Sequence, residues 1–234
     1  MFKTWRRAEK IGLLLIMLAV VLLATSALQQ FTPAQPGPLY FAPGSPLQVA
    51  LTFETLWSSK GLKEVLEILE AEGVQATFFL TGIWLENHPA EAKMILEQGH
   101  EIGNHTMNHA NLLYMNEEEI ADEIRGFNEV AHMILEYRPS LFRPPQGLYN
   151  GLVLEQAWKV RCRAVLWSVE SYDYISRNAT EVSAHVGKRL HGGAIINFRV
   201  GSPALPDALT EIMEILQEEG FHAVTVSRML EDLD

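Results

Sequence analysis

The chain has 234 residues, 48% of them hydrophobic and 20% charged, and carries a formal net charge of −11. That composition excludes a disordered or fibrous chain and leaves room for one sizeable domain with a full core. The excess of acid also argues against nucleic acid as a partner, because that recognition needs a basic face.

In chain order, the first feature is Lys3, Arg6, Arg7 and Lys10 ahead of an uninterrupted apolar run over residues 11–24, followed by Thr25-Ser26-Ala27. A charged start, an apolar middle and a small-residue end form the pattern of a secretory signal. Counted through Leu28 the run reaches 18 residues, about the lower limit for spanning a bilayer. A cleaved signal and a single-pass anchor both satisfy it. Either one exports the rest of the chain, with the basic flank left in the cytoplasm. Residues 29–46 hold Pro33, Pro36, Pro38, Pro43 and Pro46 with Gly37 and Gly44, which reads as a semi-extended linker. Four of the 18 Lys+Arg and one of the 29 Asp+Glu lie in residues 1–44, so the remainder carries 14 against 28. The expected organisation is a signal or anchor at 1–28, a linker at 29–46 and one acidic, exported domain at 47–234.

Within that domain strands and helices alternate. Residues 49–53, 76–80, 101–104, 140–143, 164–169, 194–198 and 221–226 read as strands. Most are short and continuously apolar, as parallel strands buried on both faces are. Between them, Leu62, Val65, Leu66 and Leu69 form one helical stripe that stops at Gly73. Pro89 opens a helix that closes at Gly99. Asn116 with Glu119, and Asn178 with Glu181, have capping-box spacing, and residues 204–219 are amphipathic up to Gly220. About seven β/α units in this length predict an α/β fold, a distorted (β/α)7-type barrel of parallel strands, with a doubly wound open sheet as the alternative. Cys162 is the single cysteine, so no intrachain disulfide forms, and its expected role is that of a small buried hydrophobe.

The chemistry-bearing fragments come directly after the strands. They are Glu54-Thr55 after VALTF, His105-Thr-Met-Asn-His109 after HEIGN, Arg143-Pro144-Pro145 after SLF, Glu170-Ser-Tyr-Asp173 after AVLWSV, and Arg199 after GAIINF. Polar residues at the same end of successive parallel strands predict one site assembled from distant sequence. His105 and His109 are four apart, which puts both rings on one face if the segment is a helical turn, a spacing suited to a divalent metal. Two prolines after Arg143 fix its backbone, and its charged fork suits holding a carboxylate.

Taken in order, ALTF, GVQATFFLTGIWLENHP, GHEIGNHTMNH, LFRPPQG, VLWSVESYDY and GGAII resemble the polysaccharide deacetylase family, the NodB-homology domain, over nearly all of residues 47–230. The resemblance is greatest to its sporulation-associated, membrane-anchored branch. It implies removal of acetyl groups from N-acetylated glycans such as peptidoglycan, with a bound divalent metal, usually zinc. It implies that His105 and His109 are metal ligands and that Arg143 orients the base together with a later carboxylate, Glu170 or Asp173. Pro144, Pro145 and Tyr174 would line the substrate.

The family pattern is broken where it matters most. Glu54 stands where the base Asp belongs, Thr55 where many members have a ligand Asp, and Arg199 where the proton-donating His belongs. Glu170 and Tyr174 likewise replace an Asp and a Trp. Lengthening the base by a methylene displaces its oxygen by about 1 Å, which can cost around 10²-fold. Two histidines alone fall short of the three protein ligands typical of catalytic zinc. A guanidinium has almost no capacity to give up and recover a proton, although it can still stabilise negative charge. Two readings result: a deacetylase with impaired or rerouted chemistry, and a non-catalytic protein that binds glycan or a partner outside the membrane.

Overall fold

The computed structural model describes residues 37–231 together with Met17. The apolar segment expected at 11–28 therefore lies outside the described residues. Among the described residues no helix is long and apolar enough to cross a membrane.

Parallel strands β1 (Gln48–Thr55), β2 (Thr77–Leu80), β3 (Glu101–Asn104), β4 (Leu141–Phe142), β5 (Arg163–Ala164), β6 (Val169–Glu170) and β7 (Ile195–Arg199) form a curled sheet in the order β5-β4-β3-β2-β1-β7-β6. A short β8 (His222–Ala223) pairs with the start of β1. Helices α1 (Leu62–Ala71), α2 (Gly82–Asn87), α3 (Pro89–Glu97), α4 (Glu117–Leu135), α5 (Gly151–Lys159), α6 (Ala179–Gly187), α7 (Leu205–Glu219) and α8 (Val226–Glu231) connect the strands.

Both faces of β1 are buried, and the two-residue alternation sorts its side chains. Val49, Leu51 and Phe53 join Phe78 and Phe198 in the large cluster that also holds Leu62, Val65, Leu66 and Leu69 of α1. The Phe53 ring stacks between those of Phe78 and Phe198, with centroids at 4.9 and 5.3 Å. Ala50 instead packs with Phe79, Val165 and Ile195 in a second cluster. On the same face as Ala50, Thr52 and Glu54 continue toward the carboxyl end of the strand. That face is the inside of the curl, and it becomes polar where the site lies.

The helix signals hold. Asn116 accepts hydrogen bonds from the Glu118 and Glu119 amides while Glu119 bonds back to the Asn116 amide, a complete capping box. Asn178 caps α6 through the Glu181 amide, but the Glu181 carboxylate takes the Ser176 hydroxyl instead of closing the box.

Two expectations need correction. The run at 164–169 is not one strand. Ala164 ends β5 beside β4, and Val169 begins β6 beside β7, so the chain crosses between opposite edges of the sheet. A strap from the proline-rich stretch covers this crossing. The Leu39 amide donates to the Ala164 carbonyl (2.8 Å), the Leu166 amide donates to Leu39 (2.7 Å), and the Ala42 amide donates to Gly193 (2.8 Å). From Leu39 onward the expected linker is therefore part of the fold. Its approach is close enough that a Cβ on Gly193 would stand 1.9 Å from the Ala42 oxygen.

Candidate functional site

Register brings the fragments together. Glu54 lies opposite Phe79 of β2 and Arg199 of β7, Glu170 opposite Asn197, and Asn104 opposite Phe142. The carboxyl ends of β3, β4, β1, β7 and β6 thus share one mouth with Glu54 near its centre. Glu54 is buried. Its Oε1 is 3.8 Å from Arg143 Nη1, and its Oε2 is 3.6 Å from Arg199 Nη2 and 3.9 Å from His105 Nε2. Burial works to raise its carboxyl pKa, but His105, Arg143 and Arg199 outweigh that and hold it below the ordinary carboxylate value. The group is a carboxylate between two guanidiniums.

The histidine motif is a loop and not a helical turn. Thr106 (φ 67°) and His109 (φ 56°) are left-handed, a conformation that costs about 1–3 kcal/mol for such residues and persists only where neighbours fix it. Here Asn104 Oδ1 accepts from the Thr106 amide (2.7 Å), and Thr106 Oγ1 accepts from the His109 amide (3.0 Å). The buried Glu123 carboxylate takes both the amide (2.9 Å) and the side-chain nitrogen (2.6 Å) of Asn108. The two rings meet edge to face with centroids 4.9 Å apart. His105 Nδ1 donates to the Arg143 carbonyl (2.8 Å), which leaves Nε2 as a bare acceptor. Burial pulls the His105 pKa down to about 4 against the attraction of Glu54, and burial also lowers that of His109. Both rings are neutral at pH 7.

Arg143 is fully buried and spans the inside of the curl. It donates to Asn197 Oδ1 (2.6 Å), the Leu166 carbonyl (3.1 Å) and the Val165 carbonyl (3.3 Å), with its guanidinium 4.0 Å over the Phe79 ring. Burial lowers its pKa to about 10, so it keeps its charge. Pro144 and Pro145, expected on the substrate surface, are buried; they hold the turn that presents the Arg143 carbonyl to His105. Asp173, expected to act with Arg143, instead accepts the Arg199 amide (3.3 and 3.2 Å) and the Ser171 hydroxyl (2.5 Å), while its carbonyl takes the Ser202 hydroxyl. Its role is to position Arg199. Tyr174 lies under the Arg199 guanidinium at 4.2 Å. Glu170 is half-buried, and burial followed by the Glu54 charge pushes its pKa up to about 7.

Sequence reasoning missed Asn197, Glu123 and Trp57. Asn197 was legible in principle, because alternation puts it on the same face of β7 as Arg199. Glu123 and Trp57 carried no local signal. Trp57 is exposed and meets His109 edge-on with centroids at 6.0 Å.

The residues can be tested against the metal that the resemblance implies. In favour, Nε2 of His105 and Nε2 of His109 are buried without a hydrogen-bond partner, as ligand nitrogens would be. Against it, residue 55 is a threonine with a neutral hydroxyl, and Glu54, the carboxylate paired with His105, faces two guanidiniums. Among the described residues, no three of His, Cys, Asp or Glu stand together as a metal ion would need. This donor set does not fit a catalytic metal centre.

The family model that matches this sequence is polysaccharide deacetylase, over residues 42–165. A peptidoglycan-N-acetylglucosamine deacetylase of Bacillus cereus is 31% identical over 187 residues, covering 78% of this chain and 87% of that protein. An uncharacterised Bacillus subtilis protein, YlxY, is 28% identical over 85% of this chain, which spans 62% of that relative's length. A CE4 family pseudoenzyme from Bacillus anthracis has a similar structure, with a TM-score of 0.80 and 28% identity over 83% of this chain and 69% of that one. A mutant of it described as having restored enzymatic activity matches equally well in TM-score.

Proposed function

The chain belongs to the polysaccharide deacetylase family, and on that premise we propose that it is a non-hydrolysing member that binds N-acetylated cell-wall glycan outside the cytoplasmic membrane. Hydrolysis of an acetamido group needs a base to activate water, a positive centre for the developing oxyanion and a donor for the leaving amine. Arg143 and the neutral histidines supply order. Arg199, salt-bridged to Glu54 at the end of β7, carries this proposal. It puts a group that does not donate protons at neutral pH where a donor is required, and it engages the base.

The strand ends around this centre keep their register, so the mouth they form is available for binding without the chemistry. The Bacillus anthracis neighbour supports this reading: it is described as a pseudoenzyme, and a mutant of it as having restored activity. The glycan is inferred from the peptidoglycan deacetylase names of the relatives and from exposed Trp57, Tyr172 and Tyr174 near the mouth, since aromatic faces pack against sugar rings. Export and anchoring rest on the basic-flanked apolar run at 11–28.

A second reading, slow hydrolysis with Glu170 as donor, is favoured by its carboxyl titrating at about 7, near the operating pH of a general acid. One experiment separates the two. Native protein is incubated with peptidoglycan fragments and with N-acetylated chitooligosaccharides, and both retention on the glycan and acetate release are measured. Retention with acetate at background is expected. Steady acetate release that Glu170→Gln abolishes would favour the second reading.

A further inference from the structure

We infer that Arg199 replaces the metal: its guanidinium is the resident cation of the cleft, keeps divalent ions out, and grips the carbonyl of an acetamido group without any metal. The glycan half of this inference rests on the function proposed above; the metal half does not.

Arg199 Nη2 and His105 Nε2 approach the same carboxylate oxygen, Glu54 Oε2, at 3.6 and 3.9 Å. A metal held by His105 and Glu54 would need that oxygen and would meet a like charge beside it. The guanidinium is held in place from several sides. Its backbone amide is bound by Asp173, its flat face lies on Tyr174, and its strand is in register with Glu54.

Complementarity also favours an acetamido group. Arg199 Nε is a buried donor without a partner. Glu54 Oε1 and His105 Nε2 are buried acceptors without a hydrogen bond, and His109 Nε2 is buried and not hydrogen-bonded on the neighbouring ring. An acetamido group offers one carbonyl to accept from a guanidinium and one N–H to donate to an acceptor. A protonated free amine offers donors alone and meets a centre where one carboxylate stands between two guanidiniums.

The test uses the full-length chain in detergent, as native protein, Arg199→Ala and Arg199→Lys, with thermal melts to confirm folding. Cobalt(II) titration followed by absorbance reads the metal half. Arg199→Ala should bind cobalt about tenfold or more tighter than native protein or Arg199→Lys, because it alone lacks the neighbouring cation. Calorimetry with N-acetylated and de-N-acetylated chitotetraose, in EDTA and then with added zinc, reads the glycan half. Native protein should bind the acetylated oligomer in EDTA, unchanged by zinc, and the de-acetylated one about tenfold more weakly, the scale of one charge-assisted hydrogen bond. Cobalt binding by native protein as tight as by Arg199→Ala would overturn the metal half. Glycan binding that EDTA abolishes and zinc restores would overturn the metal-independent grip. Glycan binding absent from all three proteins would sink the glycan reading and the function above, while the cobalt comparison would still decide whether Arg199 is the resident cation.

Discussion

The β3–β4 half of the cleft and the β1–β7 half are built from the same kind of strand end but differ in how their polar atoms are used. On the β3–β4 side, Asn104, Glu123, Arg143 and the Nδ1 of His105 are tied to backbone or side-chain partners, with only the Nε2 atoms of His105 and His109 left without a hydrogen bond, and Arg143 alone binds Asn197 and two carbonyls across the curl. On the β1–β7 side, Asp173 holds the Arg199 amide, but Glu54 meets Arg143 and Arg199 only through long ion pairs, and Glu54 Oε1 and Arg199 Nε have no hydrogen-bond partner. The family motifs His105, His109 and Arg143 sit in the half that braces the barrel, whereas the departures Glu54, Thr55 and Arg199 sit in the half where proton transfer would occur. Retention of HxxxH and RPP therefore has a structural reason that does not require turnover.

This contrast predicts unequal costs. Arg143→Ala should be the most damaging single change, about 3–5 kcal/mol, because it strands a buried carboxylate and several acceptors. In a thermal melt that is a fall of roughly 10 °C. Arg199→Ala, half-exposed and held by a 3.6 Å pair, should cost about 1 kcal/mol or less. Equal losses from the two variants would erase the distinction between the halves.

Glu170 gives a smaller, pH-dependent effect. Its folded pKa of about 7 lies above the unfolded value of about 4.3. Its protonated form thus adds stability that is full below about pH 4.3 and lost as pH rises through 7. Glu170→Gln should match native protein at pH 4 and exceed it at pH 8 by about 1 kcal/mol after solvent screening, or ~2–4 °C. The buried histidines His100 and His105 titrate in the opposite direction at about 4, and they cancel in the difference between variant and native. An equal gain at both pH values would show that Glu170 does not titrate as described. Smallest of all, Tyr174→Leu should cost about 0.5–1 kcal/mol through the lost cation–π contact, and it should loosen Arg199 without moving Arg143. Melts of the single and double Tyr174 and Arg199 variants would measure that coupling.

Much of the fold was legible because it is local. Continuous apolar runs marked β1, β2 and β7, and Asn116 with Glu119, Pro89 and Gly220 marked helix ends. The failures are long-range. Nothing in AVLWSV shows that its two ends belong to opposite edges of the sheet, and nothing near Leu39 shows the carbonyl of Ala164 waiting for it. At the site, motif order correctly gathered Glu54, His105, Arg143, Glu170 and Arg199. Spacing alone could not show that residues 105–109 form a loop, because the left-handed Thr106 is held by the Asn104 side chain and Asn108 by Glu123, both outside the motif. Asp173 was grouped with Arg143 by family pattern, but its carboxylate turns to the Arg199 amide.

The central claim is that Arg199 and the altered Glu54 and Thr55 leave a glycan-binding cleft without turnover. Acetate release from N-acetylated chitooligosaccharides tests it most directly, comparing native protein, Arg199→His, and the triple change Arg199→His, Thr55→Asp and Glu54→Asp with zinc present. Native protein should stay at background and Arg199→His alone should do little. The triple variant should rise by about 10²-fold or more, non-additively, because base, ligand and acid act as one unit. Robust native turnover that falls on Arg199→His would contradict the account and make Arg199 a working part of an altered mechanism.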